Sequence, residues 1–147
     1  MLELLLFLHQ LPQNILGEIL TRKPKNIRVL TCHDGETVKV YFTKNVFNCG
    51  VSLGDYIILD ADAYEDGAKN RSWYYVNTVN HEHGHQKQSR MLGWLYLFIV
   101  GIISACNNLW DRYFHKQWTS SERAKWYYSR FPEKWADKLG GVNRFDI

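Results

Sequence analysis

The segment WYYVNTVNHEHGHQKQSR, residues 73–90, decides how the rest of the chain is read. It contains no proline, and its first glycine is Gly84, so its pattern predicts a helix from about Val76 onward. On a helix, side chains four residues apart project from one face, one turn apart. His81 and His85 therefore point in the same direction.

The residues His81-Glu82-His83-Gly84-His85 form the pattern HExxH, which suits one zinc ion held by two imidazoles. Glu82 is turned about 100° around the helix from His81, too far to ligate the same ion but close enough to reach its water. Zinc lowers the pKa of bound water, and a glutamate can take the proton. We therefore predict zinc as the cofactor, with Glu82 as the general base. His83 points away from the pair, as an outer, substrate-facing or exposed residue.

A catalytic zinc site needs a third protein ligand and an open position for water. The downstream candidates are Asp111, His115, Glu122, Glu133 and Asp137. Glu133 is the best of them, because it shares one helix face with Asp137, which can accept a hydrogen bond from a zinc-bound histidine. Taken alone, Glu133 and Asp137 would be an ordinary pair of solvated acidic residues on a surface helix.

Together, the HExGH and ExxAD motifs resemble the gluzincin class of zinc metallopeptidases, most closely the membrane-bound heat-shock and CaaX-processing type. The resemblance covers residues 76–140, where an apolar segment separates the two motif helices. It implies His81, His85 and Glu133 as zinc ligands, Glu82 as the general base and Asp137 as the residue that orients a ligand. It also implies hydrolysis of peptide bonds in a peptide or protein substrate.

A peptidase also needs a hydrogen-bond donor for the oxyanion and a surface that holds the substrate. Tyr127, Tyr128 and His115 lie on a suitable stretch of chain and are the candidate donors. Residues 73–76 can be read as a strand whose edge would pair with an extended peptide. For each of these residues, an ordinary place in the core or sheet is the simpler interpretation.

Two apolar blocks, residues 1–20 and 91–110, raise the question of a membrane. The first is predicted to be an N-terminal helix, interfacial or buried, because Pro12 interrupts a run too short to span a bilayer. The second is long enough to span. A single span would place Glu133 across the membrane from His81, however, so the two predictions exclude each other. We expect the second block to bend back near residue 101 or to be a buried core helix that residues 1–20 help to cover. We favour a compact domain in which the apolar blocks are buried or dip into one leaflet of a membrane.

The remaining segments predict an α+β fold with a small antiparallel sheet. NIRVLTCH and ETVKVYF flank the turn signal Asp34-Gly35, VSLGDYIILD follows as a third strand segment, and residues 62–70 read as a polar turn. Near the C-terminus, Ser120 or Ser121 is expected to cap one helix, and Pro132 to begin another. We predict one domain over residues 1–147: an apolar helix over 1–20, a β-rich part over 27–78, and zinc-site helices over 76–140.

Composition excludes some classes of partner. The net charge is only +3, and the basic residues are interleaved with acidic ones, which argues against nucleic acid. A Cys32–Cys49 disulfide is conceivable, but sparse cysteines favour reduced thiols. The N-terminus lacks a secretory signal's basic start, so a cytoplasmic or membrane-associated location is favoured.

Two other functions stay open at this point. The zinc ion would be structural in a partner-binding protein, in which case Glu82 would be dispensable. Alternatively, residues 91–110 would be a true span of a small membrane protein, and the histidine cluster would be incidental.

Overall fold

A computed structural model describes residues 1–44 and 50–144 of the chain. In chain order its elements are α1 (Leu2–His9), α2 (Leu11–Leu20), β1 (Asn26–Thr31), β2 (Thr37–Thr43), β3 (Gly50–Leu53), β4 (Tyr56–Asp60), α3 (Ala61–Lys69), α4 (Trp73–Leu92), α5 (Ile102–Phe114), α6 (Ser120–Tyr128) and α7 (Glu133–Gly140). The predicted α+β class is confirmed. The question of a Cys32–Cys49 disulfide lies outside the described residues.

The four strands form one sheet in the order β1-β2-β4-β3. The predicted hairpin at Asp34-Gly35 joins β1 to β2, and β3 also pairs antiparallel with β4. However, β2 and β4 run parallel, so the sheet is mixed and not purely antiparallel as predicted. The apolar strand β4, in which Ile57, Ile58 and Leu59 are fully buried, takes the inner position and leaves β3 at the edge.

Helices α3 and α4 cover one face of the sheet and complete the core. Phe42 of β2 stacks on Tyr75 of α4, with ring centroids 6.2 Å apart. Residues 62–70 are helical where a polar turn was predicted, because the Asp60 carboxylate caps α3 at the backbone nitrogen atoms of Asp62 and Ala63. The β-rich part therefore ends at residue 60 and does not extend to residue 78.

Helix α4 begins at Trp73, earlier than predicted, because the Ser72 hydroxyl accepts a hydrogen bond from the Tyr75 nitrogen at 3.2 Å. Residues 73–76 are consequently helical and cannot present a strand edge to a peptide. The C-terminal helices differ less from the prediction. Thr119 caps α6 in place of either serine, while Pro132 precedes α7 as expected.

The second apolar block turns sharply instead of continuing α4. Gly93 has a φ of +55° and redirects the chain, and a π-helical turn at Leu97–Gly101 leads into α5. The bend lies at Gly93, where the packed His9 ring leaves no room for a side chain, and it does not lie near residue 101. Among the described residues no single helix is long and apolar enough to span a membrane; only Trp73–Leu95 and Leu97–Phe114, which meet at 117°, pass that test together.

The apolar blocks are largely exposed, so the predicted burial of these blocks in the domain is wrong, while the predicted contact with one membrane leaflet stays a prediction. Residues 1–20 form two helices, and neither covers α5, whose only buried residue is Asp111. Trp94, Phe98 and Trp110 are each more than half exposed. The blocks touch where the Trp94 indole nitrogen donates to the Leu8 carbonyl oxygen at 3.1 Å.

Candidate metal centre

The crossing of α4 and α7 brings the three predicted zinc ligands together. Nε2 of His81 lies 3.0 Å from Oε2 of Glu133, and Nε2 of His85 lies 3.1 Å from the same oxygen. All three side chains are buried, and their ligand atoms lie within 4.8 Å of one another. In a tetrahedral zinc site with bonds of about 2 Å, ligand atoms are separated by about 3.3 Å, so this spacing suits zinc.

The outer nitrogen atoms of both imidazoles are held by oxygen acceptors. Nδ1 of His81 lies 2.7 Å from Oδ1 of Asp137, and Nδ1 of His85 lies 2.7 Å from Oε1 of Gln88. The amide nitrogen of Gln88 donates to the Pro132 carbonyl oxygen, which fixes the orientation of its amide. Each Nδ1 therefore donates, and each Nε2 turns a lone pair toward Glu133. Three potential acceptors that converge in this way suit a metal ion between them.

In the absence of metal, a proton takes the place of that cation. Burial would lower the pKa of His81, but its hydrogen bonds to Asp137 and Glu133 outweigh burial and raise the pKa to about 9. The guanidinium group of Arg144 also contacts Asp137, with Nε 2.9 Å from Oδ2. Arg144 therefore places a permanent positive charge against the Asp137 carboxylate that bonds to His81.

The second oxygen of Glu133 is held by two hydroxyl groups. Ser104 donates to Oε1 at 2.5 Å, and Tyr127 donates to the same oxygen at 3.0 Å. Burial would raise the pKa of Glu133, but the charge of His85 and the hydrogen bonds of both histidines hold it well below the usual value. Glu133 therefore stays ionised, with Oε2 aimed at the histidines.

Glu82 lies beside this group without taking part in it. Its side chain is buried, and its Oε2 atom has no hydrogen-bond partner among the described residues. Burial raises the pKa of the carboxyl group. Gly50 of the edge strand leaves room for it, because a Cβ atom there would lie 2.6 Å from Oε1 of Glu82. A buried carboxylate oxygen without a partner is costly, so its presence needs a functional explanation.

A cavity of about 710 Å³ opens onto His81, Glu82, His85 and Glu133. Its other walls come from β3, from the segment that leads into α5, and from α5 and α6, and they are mostly apolar, including Leu53, Leu97, Val100 and Leu109. The cavity is large enough for an apolar side chain together with a reacting group.

The three predicted oxyanion donors have different surroundings. Tyr128 lines the cavity, and its ring centroid lies 5.2 Å from that of His81. Tyr127 also lines the cavity, but its hydroxyl group is bonded to Glu133. His115 does not line it; this residue bonds to Asp111 at 3.1 Å and stacks on Trp118.

His83, predicted to point away from the other two histidines, does so but is buried. It bonds to Asp34 of the β1–β2 turn at 3.0 Å and thereby ties the hairpin to α4. Asp34, Glu36 and His83 form a second group of possible metal ligands. Lys87 and Arg90 already pair with its two carboxylates, at 2.5 and 2.8 Å, so cationic side chains occupy the place that an ion would take.

Several residues of the centre were missed by sequence reasoning. Gln88 follows His85 by three positions and could have been found by helical spacing, in the same way as Asp137. Ser104 is a hydroxyl within an apolar run, which is only a weak signal. Arg144 gave no signal, and Gly84, although it stands in the HExGH motif, gave no signal of its packing role, since both contacts depend on how α7 packs.

The hydroxyl groups around Glu133 give a testable prediction. Ser104→Ala removes one of two donors to Oε1, so zinc affinity is expected to fall roughly 10- to 100-fold. Competition with a chromophoric chelator measures this. The matched control is Ser129→Ala, which removes an exposed hydroxyl bonded to the Trp126 carbonyl oxygen and should not change the affinity. Equal affinities in the two variants would contradict the positioning role.

Comparison of the chain with models of protein families, with curated proteins and with solved structures gives no match.

Proposed function

We propose that the protein is a zinc metallopeptidase in which His81, His85 and Glu133 hold the metal and Glu82 is the general base. One observation carries this proposal: three buried acceptors converge beside a buried carboxylate whose Oε2 atom is unbonded, at the wall of a cavity. When bound, zinc would supply an activated water molecule and polarise the peptide carbonyl group.

The number of ligands favours catalysis over a structural metal. Structural zinc sites have four protein ligands, whereas catalytic sites have three and an open position. Within residues 1–44 and 50–144, the group at the crossing of α4 and α7 has three members. The hydrogen bonds around the group argue against an incidental histidine cluster. Asp137, Gln88 and Ser104 each orient one of the three ligand side chains.

Glu82 moves the proton in the proposed reaction. Its Oε2 atom takes a proton from the attacking water, whose oxygen forms the new bond to the carbonyl carbon. The same proton then goes to the amine nitrogen as the peptide C–N bond breaks. A pKa raised by burial suits both steps, because the group must first accept and then release the proton.

The cavity supports an apolar peptide substrate. Leu53, Leu97 and Val100 provide a surface for apolar side chains. Of the three candidate oxyanion donors, Tyr128 fits best, since it lines the cavity beside His81 while the Tyr127 hydroxyl is bonded to Glu133.

Metal content and peptide cleavage test the proposal together. We expect about one zinc per chain in the wild type after dialysis, with hydrolysis of a leucine-rich fluorogenic peptide that a chelator abolishes and zinc restores. His85→Ala should lose both zinc and activity, because it removes a ligand. The control is His33→Ala, an exposed histidine outside the centre, which should keep both. A wild type without zinc, or an active His85→Ala variant, would overturn the proposal.

A further inference from the structure

In the N-terminal helices, polar side chains are buried and apolar side chains are exposed, which is the reverse of the usual distribution in a water-soluble protein. Gln10, Gln13 and Asn14 are fully buried, whereas Ile15, Leu16 and Ile19 are exposed. The buried side chains attach the helices by hydrogen bonds. Gln13 donates to the Gly93 carbonyl oxygen at 2.6 Å, and Asn14 accepts from the Asp55 nitrogen at 2.8 Å. Polar residues inside and apolar residues outside are expected where the surrounding medium is itself apolar.

Helix α1 identifies that medium more closely. It has no buried residue, and Glu3 is its only Asp, Glu, Lys or Arg residue; Leu2, Leu4 and Leu5 are between 58 and 71% exposed. A helix that is apolar on every side is found in a large core or in lipid. A protein partner would cover one side of it, whereas lipid surrounds it. Eight residues make a helix about 12 Å long, which fits within one leaflet of a bilayer.

The exposed apolar surface extends to the second block. The bond from Trp94 to the Leu8 carbonyl oxygen and the packing of His9 on Gly93 place the two blocks side by side. We call Leu4, Leu5, Leu8, Trp94, Phe98 and Ile102 the apolar surface; each is at least 46% exposed. Exposed apolar residues gathered on two adjoining segments mark a site of interaction.

Basic residues follow the end of α2, beside its exposed apolar residues Ile19 and Leu20. Arg22, Lys23, Lys25 and Lys44 surround a shallow cavity of about 550 Å³ that Ile19 and Leu20 also line. Lys25 is paired with Glu65 at 2.7 Å, while Arg22 and Lys23 are exposed. Cationic side chains beside exposed aliphatic ones are complementary to anionic lipid headgroups above acyl chains.

We infer that the protein docks on an anionic phospholipid bilayer, with the apolar surface in one leaflet and Arg22 and Lys23 at the headgroups. This inference does not depend on the zinc site, and it adds a location to the proposed activity.

Flotation with lipid vesicles tests the docking on the full chain. The wild type should bind vesicles of phosphatidylcholine with 30% phosphatidylserine, and high salt should weaken the binding. The double variant Leu5→Glu, Phe98→Glu should bind at least about tenfold more weakly, because two charges would enter lipid. Its control is Ile27→Glu, Val29→Glu, which adds the same charges at exposed positions of β1 and should bind like the wild type.

A second pair of variants tests the headgroup contact. Arg22→Glu, Lys23→Glu should lower binding to the vesicles that contain phosphatidylserine roughly tenfold or more, since each basic residue contributes about 1 kcal/mol. The control, Lys134→Glu, Lys138→Glu, reverses two exposed charges on α7 and should have little effect. Binding to pure phosphatidylcholine should be similar for both pairs.

Three results would overturn the inference: no binding by the wild type, equal binding by the Leu5→Glu, Phe98→Glu variant and its control, or a stable dimer that this variant dissociates without any vesicle binding. Zinc content is measured on every variant and should stay at the wild-type value. A failure of docking with zinc retained therefore leaves the proposed peptidase intact, and a protein that docks without zinc would contradict only the peptidase.

Discussion

Glu82→Gln is expected to lower peptide hydrolysis roughly 10²- to 10⁴-fold while zinc stays bound. The substitution keeps the shape of the side chain and removes its ability to accept a proton. Because the Glu82 carboxylate is not one of the three converging ligand groups, the variant should bind the metal as tightly as the wild type does. Loss of activity with retention of metal distinguishes a general base from a ligand.

The measurement is kcat/KM with zinc stoichiometry on the same preparation. Glu36→Gln is the matched control, because it makes the same chemical change in the second acidic group, where the carboxylate pairs with Arg90. That variant should cleave peptide at the wild-type rate. Full activity in Glu82→Gln would show that another group takes the proton, and a metal-free Glu82→Gln protein would show that Glu82 helps to hold the ion.

The residues of the candidate metal centre could be predicted because the spacing within each of the two helices is local. The spacing of His81 and His85 on one helix, and of Glu133 and Asp137 on another, fixes which side chains share a face. The requirement that the two helices meet also excluded a straight span for residues 91–110, and the chain does bend there. At the bend itself, His9 packs against Gly93, a contact between distant residues that no local pattern encodes.

The predictions about burial failed for a different reason. Apolar residues were expected to cover one another, yet Leu5 and Phe98 are exposed while Gln10 and Gln13 are buried. A hydrophobic pattern indicates which residues avoid water, but it does not say whether protein or lipid replaces the water. Strand order was also not predicted. The apolar strand β4 lies inside the sheet next to β2, and β3 lies at the edge, which the order of the strands along the chain does not indicate.

Gly84 decides how closely the two ligand-bearing helices approach. A Cβ atom at this position would overlap the backbone carbonyl group of Ala136, and one at Gly140 would overlap that of Asn80. Glycine therefore stands at both of these close backbone approaches between α4 and α7, next to His85 on one helix and in the last turn of the other. Because backbone atoms cannot rotate away as a side chain can, any side chain at residue 84 has to push the helices apart.

Gly84→Ala is therefore expected to destabilise the fold by about 1–3 kcal/mol or more and to weaken zinc binding strongly. Glu133 is the first residue of α7, and its Oε2 atom is 3.0 Å from His81, so a shift of α7 separates the ligands. Urea denaturation and chelator competition measure the two effects. The control is Gly101→Ala, a helical glycine whose added Cβ has no neighbour closer than 3.8 Å, which should match or slightly exceed wild-type stability. Ala136→Gly should not rescue Gly84→Ala, since the overlap is with backbone atoms of residue 136; a rescue, or unchanged zinc affinity in Gly84→Ala, would contradict this account.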